Sequence, residues 1–193
     1  MIRQYFEELR ARFGSSASWR GQFGYNVRNA NGTDITAQLL GAPADDGFAW
    51  GRNRVVDQGL NHMLNAGVLG TGIISNWYIA PFAAAVTPAA NLTAATFTAT
   101  LTEFTNYTEP TRPQWVADGA STALILENAA APALITVGAG AQTTIWGSGL
   151  LSAPAKSSTA GTLLAAARRA SVFNVEEGFE IRMRYRLTGS SSA

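Results

Sequence analysis

The chain has 193 residues, enough for one substantial domain or for one domain with an appended arm. Only 14% of its residues are charged, against about 25% in an average globular protein, and its formal net charge is +1, which argues against a nucleic-acid-binding surface. The absence of cysteine excludes disulfides and thiolate chemistry, and the single histidine excludes a multi-histidine metal site within one chain.

The first residues predict an amphipathic helix over residues 2–13. Apolar side chains recur there at spacings of four, three and four residues, and a Gly-Ser-Ser joint follows, so residues 1–18 form a predicted helical arm and joint. Such a short helix is not stable alone in water, so its apolar stripe must pack against its own domain or against a neighbouring subunit. Glu7 and Glu8 argue against an export signal. The candidate partner-interface residues are the apolar ones of this segment: Ile2, Tyr5, Phe6, Leu9 and Phe13.

The next segment is predicted to be extended. Alternating apolar and polar residues over 19–28 indicate a strand, which an Asn-Gly turn at 31–32 ends. A loop follows, with a short strand over 35–40, and residues 48–56 predict a return strand. Within the loop, residues 45–47 (Asp-Asp-Gly) lack the alternating oxygen donors of a calcium loop, so a plain turn is favoured.

A second, short helix is predicted near residues 57–69, because apolar residues recur at helical spacing and Gly70-Thr71-Gly72 follows. Asp57 is the predicted N-cap. The apolar residues that supply this spacing are Val56, Leu60, Met63, Leu64 and Val68.

The remainder is predicted to be all β. The last strand is the clearest, since Phe179, Ile181, Met183, Tyr185 and Leu187 alternate with charged residues. The regular spacing of strands predicts a mainly β fold, a β-sandwich of the jelly-roll type, over residues 19–188, with a flexible tail at 189–193. Its predicted strands lie near 75–82, 96–102, 113–118, 122–129, 132–138, 142–151, 161–167 and 178–188.

No constellation of residues points to catalysis, and we expect no enzymatic activity. His62 has Asn65 and Ala66 at its i+3 and i+4 positions, and neither is a carboxylate that could orient it as a base, so a structural or surface histidine is favoured. The adjacent carboxylate pairs, such as Glu176 and Glu177, lack the cleft-spanning separation of glycosidase acids. The sequence therefore predicts no cofactor and no metal site.

Two long segments lack charge altogether, residues 58–102 and 128–155. Because charged residues are depleted from interface cores, these segments indicate either a contact surface or a Thr/Ala-rich domain that is simply poor in charge. Neither contains an uninterrupted apolar run long enough for a membrane span. The arginines at 182, 184 and 186 follow and alternate with glutamates, so cross-strand ion pairs are favoured over nucleic-acid contacts.

Three stretches resemble, in order, conserved segments of a known family. Residues 54–64 (RVVDQGLNHML) are similar to its helix start, residues 76–79 (NWYI) to its Trp-Tyr strand, and residues 103–112 (EFTNYTEPTR) to its "E-F-x-x-Y-x-E-x-x-R" segment. In this order they resemble small virion structural proteins of tailed bacteriophages. The resemblance covers roughly residues 19–188, and this chain departs from it at Ala80-Pro81.

This resemblance implies a capsid decoration, or cement, protein that binds the assembled head shell and stabilises contacts between major capsid subunits. The expected partners are the major capsid protein and further copies of the chain, a trimer being the first expectation, with no nucleic acid and no membrane. Its expected location is the capsid exterior, after assembly in the host cytoplasm. The alternatives are a tail, collar or head-fibre component, and a carbohydrate- or receptor-binding β module that would use exposed tryptophans.

Overall fold

The structure, a computed structural model, describes residues 17–121 and 123–191. The predicted helix over residues 2–13, with the candidate interface residues Ile2, Tyr5, Phe6, Leu9 and Phe13, lies outside the described residues. The helices are α1 (Thr36–Leu40), α2 (Asp57–Val68) and α3 (Ala94–Leu101). The strands are β1 (Ala17–Arg28), β2 (Ala49–Arg52), β3 (Arg54–Val55), β4 (Trp77–Phe82), β5 (Gln114–Trp115), β6 (Ile125–Glu127), β7 (Ala133–Thr136), β8 (Thr144–Leu151), β9 (Leu163–Asn174) and β10 (Glu180–Ser191).

The strands form two antiparallel sheets, which confirms the prediction of a mainly β chain. The first sheet has the order β2-β1-β10-β6, with β7 also paired to β10, and the second has the order β3-β9-β8-β4-β5. The long pair β1–β10 aligns Ala17 with Ser191 and Arg28 with Glu180, so these two strands run side by side over their whole length.

The main core lies between the two sheets. From Phe23 to Val27 in β1 and from Ile181 to Leu187 in β10, every second residue points into it, as the alternation along the last strand predicts. The second sheet contributes the facing side chains, and the segment after α3 adds more. Its fully buried aromatic and large apolar members include Phe23, Tyr25, Ile79, Phe104, Ile135, Ile145, Ile181, Met183 and Tyr185.

A second, smaller core lies on the outer face of the second sheet, where α3 covers it. Phe97 and Leu101, one helical turn apart, are buried there against Phe82 and Leu163. The predicted strand at 96–102 is therefore wrong. Its β-branched threonines favour a strand, but the Oγ1 atom of Thr96 accepts a hydrogen bond from the backbone N–H of Thr93 at 3.2 Å, so the threonines cap a helix instead.

The predicted strand at 35–40 is also wrong, because residues 36–40 form α1. Asp34 Oδ1 accepts a hydrogen bond from the backbone N–H of Thr36 at 2.8 Å, which begins the turn. The hydroxyl of Thr36 then accepts a hydrogen bond from the backbone N–H of Val27 at 2.9 Å. A side chain thus satisfies the β1 group that a neighbouring strand would otherwise have bound.

The predicted return strand at 48–56 is divided between the sheets. β2 pairs with β1 in the first sheet and β3 pairs with β9 in the second, with Asn53 alone between them. Asn53 donates its backbone N–H to Gly21 O at 2.9 Å, so the chain crosses the sandwich at this residue. The helix predicted near 57–69 is confirmed, although Val56 and not Asp57 is its N-cap.

The remaining predicted strands overlap β4 to β10. β5 and β6 are shorter than the predicted strands at 113–118 and 122–129. β9 continues to Asn174, beyond the predicted end at 167, and β10 continues to Ser191, into the segment predicted as a flexible tail. Neither extension alternates regularly between polar and apolar residues, since residues 168–174 place Val172 next to Phe173 and residues 189–191 are Gly-Ser-Ser.

Tyr25 joins the two sheets and makes stability depend on alkaline pH. Its hydroxyl donates a hydrogen bond to Ser148 Oγ at 2.9 Å, and burial raises its pKa to about 12. The unfolded chain releases this proton near its ordinary pKa of 10.0, whereas the folded chain retains it. The stabilisation is therefore complete below that pH and is lost as the pH rises toward about 12, by up to about 1.4 kcal/mol per pH unit.

We expect urea unfolding between pH 9.5 and about 11.5 to show this decline, with a shallower slope in Tyr25→Phe. Burial also raises the pKa of Tyr107 and Tyr185, so the variant keeps part of the decline. Equal slopes in the two proteins would contradict the assignment to Tyr25.

Candidate interaction surface

The outward face of the first sheet carries a row of arginines stacked on a tryptophan. Arg184 and Arg186 of β10 place their guanidinium carbons 5.2 and 4.5 Å from the ring centroid of Trp50. The indole itself lies over Gly24, where any Cβ would come within 3.0 Å of the ring. Glycine at this position of β1 therefore leaves the space that the tryptophan occupies.

Carboxylates on neighbouring segments pair with these arginines. Arg184 forms ion pairs with Asp46 and Glu127, each at 2.9 Å, and Arg186 pairs with Glu127 at 2.7 Å. The prediction of cross-strand ion pairs is confirmed, with Glu127 of β6 as the partner on the sheet. Asp46 also accepts a hydrogen bond from the backbone N–H of Phe48 at 3.1 Å, which confirms the turn predicted at 45–47.

The chain segment from Gln58 to Thr102 has no such charges, because it contains no Asp, Glu, Lys or Arg. It includes α2 after its first residue, β4 and α3, and α3 covers the outer face of the second sheet. We call residues 58–102 the helical layer. The outward residues of α3, such as Ala95, Ala99 and Thr100, are exposed. The helical layer therefore differs sharply in charge from the outward face of the first sheet.

Within the helical layer, α2 packs against the sheets through a side that carries Gly59, Met63 and the polar residues Gln58 and His62. Gly59 lies directly against the backbone carbonyl of Leu164 in β9, and Met63 packs half-buried against the main core. His62 packs its ring edge-on to Trp77, with centroids 5.3 Å apart, which fits a structural histidine. Gln58 accepts hydrogen bonds from the backbone N–H groups of Ala94 and Leu163, both at 2.9 Å, and so ties α2 to α3 and to β9.

Because α2 packs by this side, three residues of its predicted apolar stripe face solvent, whereas Val56 and Met63 pack inward. An amphipathic helix normally buries such a stripe, but Leu60, Leu64 and Val68 are 39%, 61% and 76% exposed. Leu69 and Ile73, which follow in the chain, are 67% and 70% exposed. We call these five residues the α2 apolar patch. Contiguous exposed apolar surface of this kind marks interaction sites.

A polar cleft of about 310 Å³ lies beside the patch. One wall consists of amides and an imidazole at helical spacing on α2, and the loop at 71–74 and Thr162 complete the lining. The α2 residues that line it are Gln58, Asn61, His62 and Asn65. With amide groups and no carboxylate in its walls, the cleft offers hydrogen bonds to a partner.

The segment 103–112, which carries part of the family resemblance, has a structural role. Glu103 and Arg112 form a fully buried, two-pronged ion pair, with Nε–Oε1 at 2.8 Å and Nη2–Oε2 at 2.7 Å. Arg112 also donates to the carbonyl oxygens of Ala153 and Ser158 at 2.9 and 3.1 Å, and Ser157 donates its backbone N–H to Glu103 at 3.0 Å. The pair therefore fastens the loop after β8 to the segment after α3.

The same segment is stabilised by Lys156, the chain's single lysine. Its ammonium group lies 3.7 Å from the ring centroid of Tyr107 and donates to the carbonyl oxygen of Tyr107 at 2.6 Å. Glu109 accepts the backbone N–H of Thr136 through both carboxylate oxygens at 3.0 Å. The structural roles of Glu103, Glu109 and Arg112 were not predicted from the sequence. Their closeness in a chain with few charged residues is nevertheless a pattern from which an ion pair could have been predicted.

Among residues 17–121 and 123–191, no group of three or more acidic or histidine side chains is placed to hold a metal ion. In the same residues, none of the helices α1, α2 and α3 is long and apolar enough to cross a bilayer.

A scan against protein-family models finds no match to this chain, and a search of curated proteins finds none either. The candidate surface therefore rests on the charge pattern, the exposure and the contacts described above. Its components are the charge-free helical layer, the α2 apolar patch and the polar cleft beside it.

Proposed function

We propose that the chain is a capsid decoration, or cement, protein of a tailed bacteriophage. The observation that carries the proposal is the helical layer, which has no Asp, Glu, Lys or Arg and whose helix α3 covers the outer face of the second sheet. Charge depletion with exposed small and apolar residues is typical of the centre of a protein–protein interface. The resemblance of residues 54–64, 76–79 and 103–112 to phage virion proteins supports the choice of partner.

In this proposal the exposed face of α3 contacts the major capsid protein where shell subunits meet. A protein that binds only the assembled shell stabilises it by mass action, because disassembly must also release the bound protein. The proposal includes a small homo-oligomer, with a trimer first, a jelly-roll grouping of the two sheets and a helical arm over residues 2–13. It places the protein on the capsid exterior, with assembly in the host cytoplasm.

The first test is the copy number of the chain in purified virions, measured by quantitative mass spectrometry against the major capsid protein. A copy number of the same order as that of the capsid protein is expected for shell decoration. A handful of copies per particle would support the tail, collar or head-fibre alternative instead. Finding no copies would overturn both virion roles.

A second test places charge on the proposed contact face. Ala95→Lys with Ala99→Lys adds two charges to exposed positions of α3, where lysine is compatible with a helix. We expect the affinity for purified shells to fall at least about tenfold, because an unpaired ammonium group would be buried on binding. Occupancy is measured by quantitative electrophoresis of sedimented shells across a range of added protein.

The matched control is Ala170→Lys, an exposed alanine in β9 outside the helical layer, which is expected to leave occupancy unchanged. Equal binding by the α3 variant and wild type would show that α3 does not face the shell. A parallel loss in the control would point to net charge and not to the contact face.

A further inference from the structure

The α2 apolar patch has no partner within the described residues, although it is built like one half of a helix pair. Leu60, Leu64 and Val68 stand at intervals of four residues, so they form one ridge along the helix, about 12 Å long. Leu69 and Ile73, just after the helix, add two more exposed apolar side chains to the patch. The patch and the helix residues around it carry no charge beyond Asp57.

The same chain contains a segment with the complementary pattern. Residues 2–13 place Ile2, Phe6, Leu9 and Phe13 on one side of the helix that the sequence predicts, over about 16 Å. This ridge is long enough to cover the ridge of about 12 Å on α2. The charged residues of the segment lie off the ridge, so packing on a charge-free patch leaves them in solvent and buries none of them.

The segment joins the described chain at the end of the sandwich near α2. Gly21 of β1 lies against Asn53, four residues before α2 begins, and Asn53 bonds to Tyr185 at 3.2 Å. Tyr185 also contacts Trp115, the register partner of the Trp77 on which His62 packs. These contacts place the start of β1 and the helix α2 at the same end of the molecule.

The path of β1 then favours a second copy as the source of the segment. From Gly21 to Ala17 the strand, still paired with β10, extends about 13 Å past Asn53. The Gly-Ser-Ser joint of residues 14–16 spans at most about 10 Å. A joint of this length leaves little chain for a return to the α2 of the same molecule.

We propose that the α2 apolar patch of one copy binds residues 2–13 of a neighbouring copy, through Ile2, Phe6, Leu9 and Phe13. Each copy then offers one donor segment and one acceptor patch. Such a head-to-tail contact closes into a ring when the rotation between copies allows it. The inference concerns the chain's contact with itself, so it holds or fails independently of the proposed role on a capsid.

The absence of cysteine allows a direct test by disulfide capture. Phe6→Cys and Leu64→Cys are prepared as separate full-length proteins, mixed and oxidised. We expect a disulfide-linked heterodimer, identified by mass spectrometry of the joined peptides. The control replaces Leu64→Cys by Leu134→Cys, an exposed leucine on the first sheet, and is expected to give no such product above background.

A second arm of the experiment uses the doubly substituted chain Phe6→Cys with Leu64→Cys at high dilution. If the doubly substituted chain forms an internal disulfide while the mixed single variants form no heterodimer, residues 2–13 pack on their own molecule. That result would overturn the proposal. No disulfide in either arrangement would overturn docking on α2 altogether.

Sedimentation equilibrium of the wild-type chain gives an independent readout. We expect concentration-dependent association that Leu64→Lys weakens at least about tenfold, while Leu134→Lys leaves it unchanged. A wild-type chain that is monomeric at all accessible concentrations would also overturn the proposal. Urea unfolding of both variants checks that the substitutions at these exposed positions leave the fold intact.

Discussion

Replacing Glu103 by alanine is expected to lower the free energy of unfolding by about 3–5 kcal/mol. The reason is the state in which the change leaves Arg112, whose side chain is completely buried and would lose both of its carboxylate bonds. Two carbonyl oxygens remain as partners, but they do not neutralise the guanidinium charge. The loss is measured by urea denaturation with linear extrapolation.

A surface pair provides the matched control. Arg186 and Glu127 form an ion pair of the same length, 2.7 Å, but their side chains are 29% and 25% exposed. We expect Arg186→Ala to cost only about 1 kcal/mol, since solvent screens the pair. Replacing Glu103 and Arg112 together by leucines is expected to cost less than Glu103→Ala alone, because no buried charge is then left over. Equal losses for the buried and the exposed pair would contradict this account.

The second large effect is expected at Gly59, where helix propensity and packing predict opposite signs. Alanine stabilises the interior of an exposed helix by about 1 kcal/mol relative to glycine. At Gly59, however, an added Cβ would overlap the backbone carbonyl oxygen of Leu164, and neither α2 nor β9 can yield without moving backbone. We therefore expect Gly59→Ala to destabilise the chain by about 2–3 kcal/mol.

Gly67 lies in the same helix and is the natural control. A Cβ added there has nothing within 4 Å, so Gly67→Ala is expected to stabilise the chain by about 0.5–1 kcal/mol. Both variants are compared by thermal and urea unfolding. If Gly59→Ala proved neutral or stabilising, the close approach of α2 to β9 would be wrong.

The strand content was predictable where burial alternates along the chain. In β10, one face is apolar and the other carries Glu180, Arg182, Arg184 and Arg186, so the side-chain period of two is plain in the sequence. The prediction failed at residues 96–102, because threonines that favour strands here cap and line a helix. Local propensity could not show that Phe97 and Leu101 had a second core to occupy.

The candidate surface was less predictable than the fold. Helical spacing located α2, but it could not show that the helix packs by Gly59 and leaves Leu60, Leu64 and Val68 in solvent. That orientation depends on a close approach to β9, which lies about a hundred residues later in the chain. The lack of charge over 58–102, in contrast, was visible in the sequence, and this stretch contains the exposed face of α3 and the α2 apolar residues Leu60, Leu64 and Val68.

The register of β1 and β10 bears on how this protein can be used to carry cargo. Ala17 and Ser191 are direct partners, so β1 begins and β10 ends at the same pole of the molecule. The exposed turn at residues 139–141, between β7 and β8, lies at the far pole, where Val137 hydrogen-bonds to Phe179 just before β10. An epitope inserted in that turn would point away from α2 and leave the chain's self-contacts free.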